Sequence, residues 1–246
     1  YLKYLGQGHD SFKALRAFND LRRAGFKNIN VDLMYSFPQQ TPADIELDVK
    51  TVLGLGSEHV SIYTLTVEPH SKFYVQKIKE QVDQAQGEQY AMVTSLLDNS
   101  GMCQYEVSNF SRPGFESKHN INYWQSGNYI GLGMSAHSHL DGRRSWNFSR
   151  LADYLKKTRS GESPKEGHEV LSKDVRLRES LVFGLRMNCG VDLSALEQQM
   201  DCRLTDDVVQ QIRELTEQGL LVTQAKRLQA SARGRLLLDE IAVKLI

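Results

Sequence analysis

The strongest constraint on this chain is a strand, a helix and a second strand packed into about 40 residues near its start. Ile29 to Met34 alternates, with Ile29, Val31 and Leu33 on one face and Asn30, Asp32 and Met34 on the other. Thr41-Pro42-Ala43-Asp44 then supplies an N-cap, a proline at the first helical position and a capping-box carboxylate, and Ile45, Val49, Val52 and Leu53 give the helix an apolar stripe. Val60 to Val67 is the second strand, closed by Glu68-Pro69. Parallel strands joined by a helix make a right-handed crossover, so residues 1–67 belong to a parallel α/β sheet or barrel. An earlier helix runs from an Asp10 cap to Gly25, with Phe12, Leu15, Phe18 and Leu21 at helical spacing.

Asp32 is a carboxylate in an otherwise apolar strand. In a barrel it faces the interior with Asn30 and Met34, toward the rim where such folds place their chemistry. The alternative is a buried Asp hydrogen-bonded to nearby backbone.

A further helix spans 83–100, and the chain then changes character. Residues 103–148 hold eight aromatics where the whole-chain rate of 21 in 246 predicts about four, and both tryptophans, Trp124 and Trp146, fall here. With many turn formers among them, these residues are expected to be loop and short strand, either ordinary core or the lining for a flat hydrophobic ligand. His119-Asn120-Ile121-Asn122-Tyr123-Trp124 sets an imidazole beside an amide and two large rings. Neutral imidazole can ligate haem iron and Tyr or Trp can cover a porphyrin. The alternative is a loop anchor in which His119 caps backbone and Trp124 fills core. His137 and His139, one apart on a strand, share a face and could chelate a metal, with Asp141 nearby, which keeps a metal-dependent barrel hydrolase as a further reading.

From about Leu171 the pattern is helical: Val175–Met187, Asp192–Met200 and Thr205–Gly219, a small hairpin through Leu220–Val222 and Arg227–Gln229, and a last helix from Ser231 to Leu245. This is a winged-helix order. Its candidate recognition helix carries Asp206, Asp207, Glu214 and Glu217 against Arg213, a net charge of −3 that phosphates would repel, so nucleic acid is not the expected partner. The balance of 30 basic and 30 acidic residues likewise gives no polybasic arm. Three cysteines without a Cys-x-x-Cys pair fit neither a disulfide framework nor a self-contained zinc site and point to a reducing cytoplasm. No apolar run reaches the ~18 residues of a membrane span; peripheral membrane association stays open.

A series of phrases in order carries a resemblance: Leu5 to Asp10, Val31 to Thr41, Tyr63 to Pro69, Tyr105 to Phe110, His119 to Trp124, Tyr129 to Gly133 with Ala136 to Ser138, and Arg233 to Asp239. Together they resemble the HemW family of radical S-adenosylmethionine (SAM) proteins, relatives of the oxygen-independent coproporphyrinogen III oxidase. The resemblance implies an α/β fold: the later part of a radical-SAM (β/α) partial barrel over 1–68, an aromatic-rich α+β connecting region over 69–165, and a small helical, winged-helix-like C-terminal domain over 166–246. It implies SAM contacts from Asp32, Gln7 and Thr66, and a haem-associated role for His119, Asn120, Tyr123 and Trp124. The implied function is that of a haem chaperone, binding haem or porphyrin and delivering haem to client haemoproteins, with SAM and a [4Fe-4S] cluster as cofactors of the complete protein. Oxidative decarboxylation of coproporphyrinogen III is the alternative.

Two residues depart from the family pattern. Gln7 stands where the family has Arg, keeping donors but losing the charge and the fork. Ser36 stands where the family has Gly, which serves only if that position avoids positive φ. The Cys-x-x-x-Cys-x-x-Cys segment of the family has no counterpart, and Cys103, Cys189 and Cys202 are not spaced to replace it. The chain is therefore expected to be a C-terminal fragment that cannot build the cluster site.

Overall fold

The structure is a computed structural model that describes Leu2 and residues 8–246. The chain divides into two compact units, Tyr1–Glu116 and Ser117–Ile246.

In the first unit, α1 (Ser11–Arg23) starts at Asp10, whose carboxylate accepts from the Lys13 N–H at 2.9 Å. It ends where Gly25 takes φ +93°. The strand β1 (Asn30–Tyr35) leads into α2 (Pro42–Gly54) through the expected box, with Thr41 and Asp44 each accepting from the other's backbone N–H. The parallel partner β2 (His59–Thr64) pairs Asn30 with His59, Asp32 with Ser61 and Met34 with Tyr63. Arg22 ties the edge of this layer together, donating to both carboxylate oxygens of Glu58 at 2.6 and 2.7 Å and to the Gly56 carbonyl at 2.8 Å.

The sheet does not stop after the crossover. Beyond the short α3 (Lys72–Val75) and the long α4 (Asp83–Asp98), the hairpin of β3 (Cys103–Glu106) and β4 (Asn109–Ser111) adds on antiparallel, giving the order β1-β2-β4-β3. One face is apolar: Leu33, Tyr35, Val60, Ile62 and Phe110 pack on Ile45 and Val49 of α2 and on Val93 and Leu97 of α4. Ile45 and Val49 are wholly buried, so truncating either to Ala would cost about 2–4 kcal/mol. The other face carries Asn30, Asp32, His59, Ser61, Asn109 and Ser111. The expected strand through Val67 is shorter, because pairing with β1 ends at Tyr35 opposite Thr64.

In the second unit, α5 (Lys118–Trp124) is followed by β5 (His137–Leu140), β6 (Arg143–Asn147), α6 (Leu151–Arg159) and β7 (Lys165–Val170), the strands forming an antiparallel sheet in that order. The helices α7 (Lys173–Leu185), α8 (Leu193–Met200) and α9 (Asp206–Glu217) precede the hairpin β8 (Leu221–Gln224) and β9 (Arg227–Ala230). The expected closing helix is two pieces, α10 (Ala232–Leu236) and α11 (Leu238–Leu245), because Leu237 leaves helical geometry at φ −118°. Gly234 sits against the Leu220 carbonyl, where a Cβ would be 1.9 Å away, and this fixes α10. The break lets Leu238, Ile241 and Leu245 of α11 bury themselves, alongside the buried Leu177, Leu181 and Leu185 of α7 and Leu215 of α9. Among the described residues no helix is long and apolar enough to cross a membrane.

Candidate functional site

His119 to Trp124 is helical, where loop was expected. Ser117 caps α5 by accepting from the Asn120 N–H at 3.3 Å, so His119 and Tyr123 fall four residues apart on one helix face. Their rings meet edge to face with centroids 4.7 Å apart. The contact sequence continues from Tyr123 to Tyr129 at 4.5 Å and from Tyr129 to His139 at 6.2 Å. Tyr129 is held there by two backbone bonds with His139.

These rings lead to a cavity of about 570 Å³ within the second unit, in the range of small-molecule sites. Tyr123, Trp124, Trp146 and Phe183 give it aromatic walls. Trp146 lies over Gly167 on the neighbouring strand, where a Cβ would fall 2.4 Å from the indole; only glycine leaves room for that ring. Trp124 packs against Phe183 at 6.4 Å, Arg186 covers its ring, and among the described residues its buried Nε1–H has no acceptor. An unpaired buried donor is uncommon.

The remaining wall is charged. Arg144 binds Glu179 through both guanidinium nitrogens and reaches Glu169 at 3.5 Å. Burial alone would lower the Arg144 pKa, but the two carboxylates hold it above its ordinary value. Burial and the neighbouring Tyr123 phenol push the Tyr129 hydroxyl up, against a weaker pull from Arg144.

Of the motif, Tyr123 and Trp124 line the cavity, and Asn120 and the exposed His119 do not. Among the described residues His119 caps no backbone, and Trp124 is a half-buried wall rather than core. His137 and His139 both line the cavity, His139 with Nδ1 3.2 Å from the Gly127 carbonyl. Among the described residues no group of three or more His, Cys, Asp or Glu side chains could hold a metal ion, so this pair lacks a third ligand. Trp146, one of the aromatics concentrated in residues 103–148, also lines the cavity; Arg144, Arg176, Glu179 and Phe183 line it too and carry no signal in the sequence, since strand pairing and α7 bring them in from a distance.

In the first unit, Asp32 is exposed on the polar face of β1. Its partner is a side chain, not the backbone: Asn30 donates to it at 2.7 Å. Asn30 Oδ1 in turn meets His59 Nδ1 at 2.6 Å and Ser61 Oγ at 3.1 Å, and His59 Nε2 meets the Tyr105 hydroxyl at 2.8 Å. Burial lowers the His59 pKa, partly offset by Asp32 and Glu116. Thr66 lies exposed just beyond β2 rather than on it. Gln7 lies outside the described residues. Ser36, directly after β1, does take positive φ, +65°, and is fully buried, its hydroxyl without a partner among the described residues. The three cysteines are free. They do not form a ligand set for an iron–sulfur cluster.

Residues 171–237 match the HemN C-terminal domain. The chain is 34% identical over 95% of its length to the haem chaperone HemW of Lactococcus lactis subsp. lactis (strain IL1403) and 32% identical over 98% to that of Bacillus subtilis (strain 168). It spans 62% and 64% of those two relatives. A mitochondrial radical S-adenosyl methionine domain-containing protein 1 from Danio rerio is 30% identical over 98% of the chain and 58% of its own length. Among solved structures, coproporphyrinogen III oxidase (HemN) from Escherichia coli, a radical SAM enzyme, superposes with a TM-score of 0.81 over 99% of this chain and 60% of that one, at 23% identity. The fold is thus the α/β architecture of HemN, and along nearly its whole length the chain is similar to the haem chaperones HemW of these bacteria.

Proposed function

We propose that this chain is the haem-handling portion of a haem chaperone, binding haem or porphyrin in the cavity of the second unit for delivery to client haemoproteins. The observation that carries this reading is that Tyr123 and Trp124 of the His-Asn-x-x-Tyr-Trp motif are walls of that cavity. Flat aromatic walls with a charged side suit a flat apolar molecule bearing carboxylates. Asn120 helps to start α5 through its backbone bond to the Ser117 cap, and His119 supports Tyr123 edge-on from outside.

For the first unit we propose that Asp32 and Thr66, with Gln7, face SAM. Among the described residues Asp32 Oδ2 receives no hydrogen bond, so the carboxylate can accept from ribose hydroxyls or the methionyl ammonium. The spacing of Cys103, Cys189 and Cys202 does not fit a [4Fe-4S] cluster. We further propose domain limits near residues 68 and 165 and a cytoplasmic location.

The test is a haemin titration of wild type, Tyr123→Ala, Trp124→Ala and His119→Ala followed in the Soret band. Saturable binding by wild type, weakened about 10-fold or more by either wall substitution, is expected, since each removes aromatic contact worth about 1–3 kcal/mol. Wild-type affinity in both wall variants would remove the cavity from haem binding.

A further inference from the structure

We infer that Arg176 binds a carboxylate of the cavity's occupant, one of the two propionates if that occupant is a haem. This rests on the haem reading above and adds the polar end of the site.

Two guanidinium groups line the cavity, and they are not equivalent. Arg144 is engaged by Glu179 and Glu169. Arg176 is half-buried, yet among the described residues its side chain makes no hydrogen bond and no ion pair. A guanidinium at a cavity wall with no protein partner is held by water alone, and it offers a planar five-donor fork matched to a carboxylate.

Its position is built rather than incidental. Arg176 lies across Gly142, in the turn between β5 and β6, where a Cβ would fall 2.7 Å from its Cδ and Nε. That glycine has φ +83°, so the turn favours a residue without a side chain, and the bare backbone becomes the floor under the guanidinium. Along α7, Arg176, Glu179, Ser180 and Phe183 follow at i, i+3, i+4 and i+7 and all line the cavity, while Leu177, Leu181 and Leu185 take the buried face. One helix face therefore grades the site over about 10 Å, from a cation at Arg176 to an aromatic surface where Phe183 meets Trp124. An occupant with an apolar plate and an anionic edge fits this gradient in one orientation.

The electrostatics agree. Arg144 with Glu169 and Glu179 carries a net charge of −1, and Arg176 brings the wall to zero. Arg176 is the cation in this wall whose charge is not already matched by a contacting carboxylate.

The experiment compares haemin with haemin dimethyl ester, which keeps the ring and iron and lacks the propionate charges, on the full chain. Wild type is expected to bind haemin at least 10-fold tighter than the ester. Arg176→Gln should lose that preference while binding the ester as wild type does, so the ester also reports that the variant folds. Arg176→Lys, with charge but no fork, should recover part of it. A preference for haemin undiminished in Arg176→Gln would overturn the assignment, as would equal loss of both ligands, which would make Arg176 a wall-packing residue. Wild type binding both ligands equally would overturn it and leave the haem reading standing. No saturable binding of either ligand by wild type would overturn both.

Discussion

The Arg186 guanidinium carbon lies 4.3 Å from the centre of the Trp124 ring. Such a contact stabilises by about 0.5–2 kcal/mol and holds the indole flat against the cavity. The chain has two tryptophans, and both line that cavity. Haemin bound there is therefore expected to quench nearly all intrinsic tryptophan fluorescence. Trp124→Phe and Trp146→Phe should each leave a single emitter that is still quenched. Emission remaining above half its starting value at saturation would place haem elsewhere.

Ser36 predicts a gain of stability. Its left-handed backbone costs a side-chain-bearing residue about 1–2 kcal/mol, and among the described residues its buried hydroxyl lacks a partner. Ser36→Gly relieves both, less about 0.4–1 kcal/mol for the freer unfolded chain, a net gain of about 1 kcal/mol or more. Ser36→Ala removes only the hydroxyl and should gain less. Urea denaturation of the pair separates the two contributions, and a Gly variant no more stable than the Ala variant would contradict the backbone argument.

A second strained turn lies in the hairpin of the second unit. Ala225 and Lys226, the two-residue loop between Gln224 and Arg227, both have positive φ, 49° and 67°. A loop of this kind favours Asn-Gly. Replacing the pair by Asn-Gly should stabilise the second unit by about 1–2 kcal/mol. An unchanged or lower melting temperature would rule out strain at this loop.

His59 gives a pH dependence with a definite sign. Its pKa in the folded chain lies below the ordinary 6.5, so the unfolded chain binds the proton more readily. Stability contributed by the neutral imidazole is present above pH 6.5 and declines as pH falls below it. Between pH 7.5 and 5.5, wild type should therefore lose more stability than His59→Gln. Equal losses in denaturant titrations would show that His59 does not carry this proton linkage.

The crossover was legible because its signals are local: an alternating strand, a capping box at Thr41 and Asp44, and an apolar stripe that the structure buries. α5 was not, since seven residues with no fully buried member leave no periodicity to detect. β7 was also hidden. Lys165–Val170 is almost entirely exposed, so the sequence lacks an inward row, and pairing with β6 supplies the order instead. The single closing helix failed at Leu237, whose departure from helical geometry no local spacing announces, and the packing of Gly234 against the distant Leu220 carbonyl is equally invisible in sequence. The cavity was half readable. Tyr123 and Trp124 announce themselves as neighbours in a motif, whereas Arg176 reaches the same wall through the β5–β6 turn and α7, contacts that no spacing encodes.

The hydrogen bonds on the polar face of the first unit have a direction. Asn30 Oδ1 can only accept, so His59 Nδ1 carries the proton toward it and Nε2 is left to accept from the Tyr105 hydroxyl. Asn30 then donates onward to Asp32. From Tyr105 through His59 and Asn30, every bond dipole points its positive end at the Asp32 carboxylate. The carboxylate sits at the end of a row of aligned dipoles whose order is fixed by strand register, so their direction is set by the fold and needs no rearrangement of these side chains. Replacing Asn30 by its isostere Asp would reverse that last dipole and set two carboxylates against each other.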